Sequence, residues 1–332
     1  MKKLPIIIIT ILFLVSMAGN GLQFMNSKQM SEQLKKAEQP VSLTFSNANS
    51  RDTYFTIHNI AEAHAVSKGQ GIKVGIIDWN FGYPEHQELY TDVLDFTSQP
   101  NNFTDGHGRW MATVLWEIAP ECEIYGLGTS LGGEAGWNES AFVDVMIEAI
   151  EWSMENDIDV LTLSLVPISG ENRARMDGTV DQAIAQGIVT TFIHYDNPNN
   201  ILPLGLLAYD ESFFPYARKP DINVFQYDYN AIFANQYLDY VKSGPPATYA
   251  DISNGGYIPF LSFSSMSPVT AGFVAILKSV NNTLPATEYK RILVETSYAT
   301  HFTGGVADFE DADVEYVVDI GNAVEYLREN YK

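Results

Sequence analysis

Ser262-Phe263-Ser264-Ser265-Met266-Ser267-Pro268-Val269-Thr270-Ala271-Gly272 runs directly into Phe273-Val274-Ala275-Ile276-Leu277. A segment that is apolar on every side reads as a buried helix. Pro268 suits its first turn, where a missing N–H would be unpaired anyway. A serine hydroxyl therefore stands where a buried helix begins, beside unpaired amides and the positive end of the helix dipole. Such a place favours a developing oxyanion. Taken alone, capping of a core helix is the better explanation of the serines. Their meaning depends on what the rest of the chain supplies.

The chain has 332 residues, 46% hydrophobic and 18% charged, enough for a sizeable core. With 41 acidic against 19 basic residues its net charge is −22. That argues against nucleic acid or an anionic membrane surface as partner, since both need a basic face. Cys122 is the single cysteine, which excludes an internal disulfide and multi-cysteine zinc sites. Its apolar surroundings read as those of a small core residue.

Lys2 and Lys3 precede an apolar run from Leu4 to Ala18, and Ser16-Met17-Ala18 offers small residues for cleavage. The run is short for a membrane span, so residues 1–18 are expected to be an export signal, with an uncleaved anchor as the alternative. The protein is then secreted or extracytoplasmic, tied to a membrane only through that segment. Residues 19–52 are polar and aperiodic and read as a linker or arm. Residues 53–332 form the folded domain, expected to be a monomer.

Within that domain the pattern alternates. Ile57 to Val66 has helical spacing. Ile72 to Asp78 is a short β-branched run that reads as a buried parallel strand ending in a carboxylate. Met111, Val114 and Leu115 give helical spacing just after His107. Glu123 to Leu127 reads as a strand, and the Gly126-Leu127-Gly128 after it lacks the later glycine of a phosphate cradle. Ser140 to Glu155 is the clearest helix, Ile158 to Leu165 a strand, Val180 to Gln186 a helix and Gly187 to Ile193 another strand. Such alternation predicts an α/β fold with a mostly parallel sheet flanked by helices. Ligand chemistry on such sheets sits at the carboxyl ends of strands, where Asp78 and Asp196 both fall. Residues 197–256 carry many aromatics but no motif, and the expectation there is core and loop packing.

Gly71 to Asp78 followed by His86-Gln87-Glu88-Leu89 resembles the aspartate segment of subtilisin-like serine proteases. Gly106-His107-Gly108 is similar to their histidine segment. Ile150-Glu151-Trp152 through Ser164-Leu165 resembles their central helix and strand, and Tyr316 to Val324 their last helix. Ser264, with Pro268, Ala271 and Gly272, matches the spacing of their serine helix. The resemblance spans roughly residues 55–328 in the family's order, Asp then His then Ser, which differs between unrelated triad folds.

The resemblance implies a three-layer fold and acyl transfer. Ser264 attacks a peptide carbonyl, His107 takes and returns the proton, and Asp78 holds the imidazole. It implies Ser164, Leu165 and Val166 as a strand that pairs with peptide or protein substrate, although Pro167 then removes a donor. It implies an oxyanion donor after the strand ending at Ile193, where Asp196 falls by ungapped counting, with Asn197 beside it. A protonated aspartate can donate there, whereas an ionised one repels the oxyanion. The family often binds calcium, which the acidity allows, but no oxygen-ligand loop of known spacing occurs, so no metal site is assigned. A one-residue deletion would move the nucleophile to Ser265. Trp79-Asn80, Arg109-Trp110, Ser262-Phe263 and Met266 depart from the family pattern beside the triad. A weak or inactive relative that binds peptide or a partner protein is therefore the alternative to a serine endopeptidase.

Overall fold

The computed structural model describes residues 41–44, 55–97, 106–129, 138–164, 170–193, 195–205, 221–224, 263–303 and 312–331. The segment expected to be the signal, the expected arm apart from Val41–Thr44, and Leu165 and Val166 lie outside them; Val41–Thr44 of that arm forms a strand. The chain divides into two units, Met1–Val41 and Ser42–Lys332. Apart from Val41, all described residues belong to the second.

That unit is built on a five-stranded, all-parallel sheet. Its strands are β2 (Lys73–Asp78), β3 (Asp92–Asp95), β4 (Glu123–Gly128), β5 (Val160–Leu163) and β6 (Val189–Phe192), in the order β3-β4-β2-β5-β6. A second sheet, in the order β1-β9-β10-β8-β7, holds β1 (Val41–Thr44), β7 (Pro203–Gly205), β8 (Ile222–Val224), β9 (Tyr298–Thr303) and β10 (Ala312–Val317). The helices are α1 (Ile60–His64), α2 (His107–Ile118), α3 (Glu139–Glu155), α4 (Gly170–Ala185), α5 (Met266–Val280), α6 (Ala286–Glu295) and α7 (Ile320–Asn330).

Side chains of a strand alternate between faces, and here the alternation builds three layers. Val74, Ile76, Val160 and Val189 join one apolar cluster with residues of α2, α5 and α7. Ile77, Leu161, Leu163 and Phe192 join the other, with α3 and α4. This is the three-layer architecture expected from the sequence. Helix α4 is longer than its apolar pattern predicts, starting at Gly170 where the sequence suggests Val180. Its first half is polar, with Gly178 inside it. Only Met176, Thr179, Val180 and Ala183 are buried, so one narrow stripe carries the packing.

A buried polar contact closes the domain. His58 is fully buried, its Nδ1 2.7 Å from the carbonyl of Val318, and its ring packs on Phe273. It joins the segment before α1 to the end of β10. Half-buried Cys122 packs against the first core cluster, and burial pushes its thiol up to about 12.

Burial also pulls His58 down to about 4. The folded chain therefore excludes a proton that the unfolded chain binds below the ordinary value of about 6.5. The stability this gives is complete above pH 6.5 and is lost as pH falls toward 4, by about 3 kcal/mol in all. Denaturant midpoints measured from pH 7 to 4 should fall accordingly, and His58→Gln should flatten that slope. An equal slope in the variant would remove His58 as its source.

Candidate active site

Chain order puts β4 and β5 on opposite sides of β2, so β2 marks the switch point of the sheet. Ligand crevices of open α/β sheets form there, outside the carboxyl ends of the strands. The last residue of β2 is Asp78. It shares its parity with Val74 and Ile76, so its side chain faces α2 and α5.

The backbone just after β2 caps helix α2. The amide of Gly108 donates to the carbonyl of Trp79 at 2.7 Å, and that of Arg109 to the carbonyl of Asn80 at 3.2 Å. These are amides of the first turn, which have no partner within the helix. Gly108 is required for this approach, since a Cβ would lie 2.8 Å from the Trp79 carbonyl oxygen and from Phe81.

The cap brings His107, first residue of α2, onto Asp78. Its Nδ1 lies 2.8 Å from Oδ1 and 2.9 Å from Oδ2. The carboxylate is fully buried and also accepts from the amide of Trp79 at 2.8 Å. The imidazole remains partly exposed. Trp79 stacks on it with ring centres 4.5 Å apart and planes 4° from parallel, and Trp110 meets it edge-on at 6.3 Å.

The serines form a short 3-10 turn, Phe263–Ser265, that touches α2 and continues into α5. Ser264 is half-buried and Ser265 fully buried. Ser164, at the end of β5 and facing the same layer as Thr162, donates its hydroxyl to the Ser264 carbonyl at 2.7 Å. Asp78, His107 and the serine turn thus share one sheet edge. Among the described residues no hydrogen bond joins His107 to Ser264 or Ser265. In unliganded sites such bonds are often long.

Ser267, in the first turn of α5, is bonded to two neighbouring strands. It is buried and interacts with the Thr162 hydroxyl at 2.6 Å, the Leu163 amide at 3.2 Å and carbonyl at 3.1 Å, and the Thr191 carbonyl. A serine inside an otherwise apolar helix needs such partners, and that signal is present in the sequence.

The turn after β6 is also held from below. Arg173 lies over the ring of Tyr195 at 3.9 Å and donates to the Asp196 carbonyl at 2.7 Å. Buried Asn200 donates to the carbonyls of Phe192 and Tyr195 and accepts from the amide of Phe192. The side chain of Asp196 is exposed. That of Asn197 is buried, and its amide donates to Asp181 of α4 at 3.1 Å. Among the described residues there is no group of three or more His, Cys, Asp or Glu able to hold a metal ion.

No family model matches the chain. It is 26% identical to subtilisin DY of Bacillus licheniformis over 243 residues, covering 69% of this chain and 85% of that protein. Among solved structures, a cold adapted subtilisin-like serine proteinase matches with a TM-score of 0.52 at 17% identity, covering 76% of this chain and 92% of that one. MycP1 from Mycobacterium smegmatis matches with a TM-score of 0.58 at 13% identity, covering 86% and 87%.

Helices α2 and α5 meet at Gly272, where a Cβ would lie 2.5 Å from Cγ2 of Ile118. Overpacking of this kind costs about 1–3 kcal/mol. Gly272→Ala should lower the unfolding free energy from denaturant titration by that amount, and adding Ile118→Ala should recover part of it. An Ala variant of full stability would show that the helices separate freely there.

Proposed function

Taking the chain as a divergent relative of the subtilisin-like serine proteases, we propose that it is a serine endopeptidase that hydrolyses peptide bonds outside the cytoplasm. The observation that carries this reading is the buried Asp78 carboxylate on Nδ1 of a partly exposed His107, at the switch point of the sheet. In the proposed mechanism Asp78 fixes the tautomer that leaves Nε2 free to act as base, and stabilises the imidazolium once it forms. His107 removes the Ser264 proton as Oγ attacks the peptide carbonyl, then returns it to the leaving amine. Water repeats the sequence on the acyl-enzyme.

Ser264 is the nucleophile in this reading because its carbonyl is the one fixed by Ser164 and because Ser265 is wholly buried. Leu4 to Ala18 carries the export step, removed or kept as an anchor. By ungapped counting this reading takes Asp196 as the oxyanion residue, with Asn197 as the alternative; the donation of the Asn197 amide to Asp181 supports the first.

An exposed carboxylate there works against an oxyanion, and this favours a second reading. The domain would then be a weak or inactive relative that binds a peptide or partner protein.

A fluorophosphonate probe separates the two. It should label the wild type and the Ser265→Ala variant, but not Ser264→Ala. Labelling of Ser264→Ala alone would move the nucleophile to Ser265, and no labelling of a folded wild type would leave the binding reading.

Asp196→Asn supplies the missing donor, so kcat at neutral pH should rise on the order of 100-fold. An unchanged rate, together with a crippled Asn197→Ala, would make Asn197 the donor.

A further inference from the structure

We propose that Trp79 is a positioning residue for the candidate base. Its indole holds the plane of His107 and shields the Asp78–His107 pair from water. The inference rests on the peptidase reading for its kinetic consequence, but not for its structural one.

Three observations carry it. Trp79 lies flat on the imidazole, with centres 4.5 Å apart and planes 4° from parallel. Trp79, partly buried, also packs against the second apolar cluster, the one formed with α3 and α4. Its backbone is fixed at both ends, the amide donating to Asp78 at 2.8 Å and the carbonyl accepting from Gly108 at 2.7 Å. The residue that touches the base through its ring thus also touches the carboxylate and the histidine helix through its main chain. A ring placed in this way is a wall on which the imidazole of His107 rests while its Nδ1 meets Asp78.

The chemistry gives this wall two effects. A ring resting on a fixed face has fewer orientations to lose when it must accept a proton at one nitrogen, and positioning of that kind lowers the barrier. An indole face also attracts a cation placed over it, more so where water is excluded. Both favour the state in which His107 carries the proton from the nucleophile. Neither adds to substrate binding, so the effect belongs in kcat and not in KM.

The test compares wild type, Trp79→Leu and Trp79→Phe in the full chain. In proton NMR the Nδ1–H of His107, held on a carboxylate and protected from exchange, should give a resolved low-field signal in the wild type. The ring protons of His107 should be shifted upfield by the stacked indole. Trp79→Leu should lose both signals and lower kcat about tenfold with KM within about twofold. Trp79→Phe, which keeps an aromatic face, should restore the low-field signal and most of kcat. If the Leu variant does not fold, Trp79→Met replaces it, with similar volume and no ring.

A Leu variant that keeps the low-field proton and full kcat overturns the proposal. So does one that raises KM alone, which would make Trp79 a wall of the substrate site. A wild type that never reacts with the fluorophosphonate sinks the peptidase reading, while the NMR comparison still decides whether the indole guards the Asp78–His107 pair.

Discussion

Two hydrogen bonds from the start of α2 to the backbone just after β2 hold the site together. The first amides of α2 have no partners of their own kind, and the carbonyls of Trp79 and Asn80 supply them. One arrangement satisfies the helix, seats Gly108 against the loop and lays His107 on Asp78. The acid–imidazole contact therefore does not depend on a flexible side chain finding its partner. It is a by-product of capping, and burial of Asp78 follows from the same closure.

The serine side is built differently. Helix α5 is buried from Met266 to Lys278, so it cannot be placed by an amphipathic stripe as a surface helix is. Polar contacts fix its rotation instead: Ser267 joins β5 and β6 through Thr162, Leu163 and Thr191. The apolar surroundings set how deep the helix lies, and one hydroxyl sets which side faces the sheet. Such a buried polar contact contributes only about 1 kcal/mol net, but leaving it unmade costs more, which makes it a strong selector of orientation.

How much of this was legible depended on the kind of information each feature needs. Strand β2, with its short β-branched apolar run and terminal carboxylate, could be read because a strand buried on both faces shows itself in a few consecutive residues. Helix α3 was legible for the same reason. The first half of α4 was not, because Arg173, Asp177 and their neighbours give little apolar signal and their partners lie after β6. The order Asp, His, Ser could be read from three short motifs. The stack of Trp79 on His107 could not, since it joins positions 28 residues apart whose contact is created by the cap. Nor could the role of Asn200, which depends on a turn that returns to Phe192. Asp196 and Asn197 lie next to each other in sequence but face solvent and α4 respectively, a difference that counting along the chain cannot resolve.

The far end of α5 carries Lys278, which is 4% exposed. Its amine lies 3.5 Å from Asp159, just before β5, and 3.3 Å from the carbonyl of Gly187, just before β6. The helix is therefore tethered to the opposite edge of the same two strands that Ser267 and Ser164 grip near the serine turn. A rod fastened at both ends to one plate behaves as a strut. It can neither slide along its axis nor roll, and its 15 residues span about 22 Å of that plate. Accommodation of a bound molecule must then come from the loops facing the serine turn, because the element that carries the turn has no free travel left.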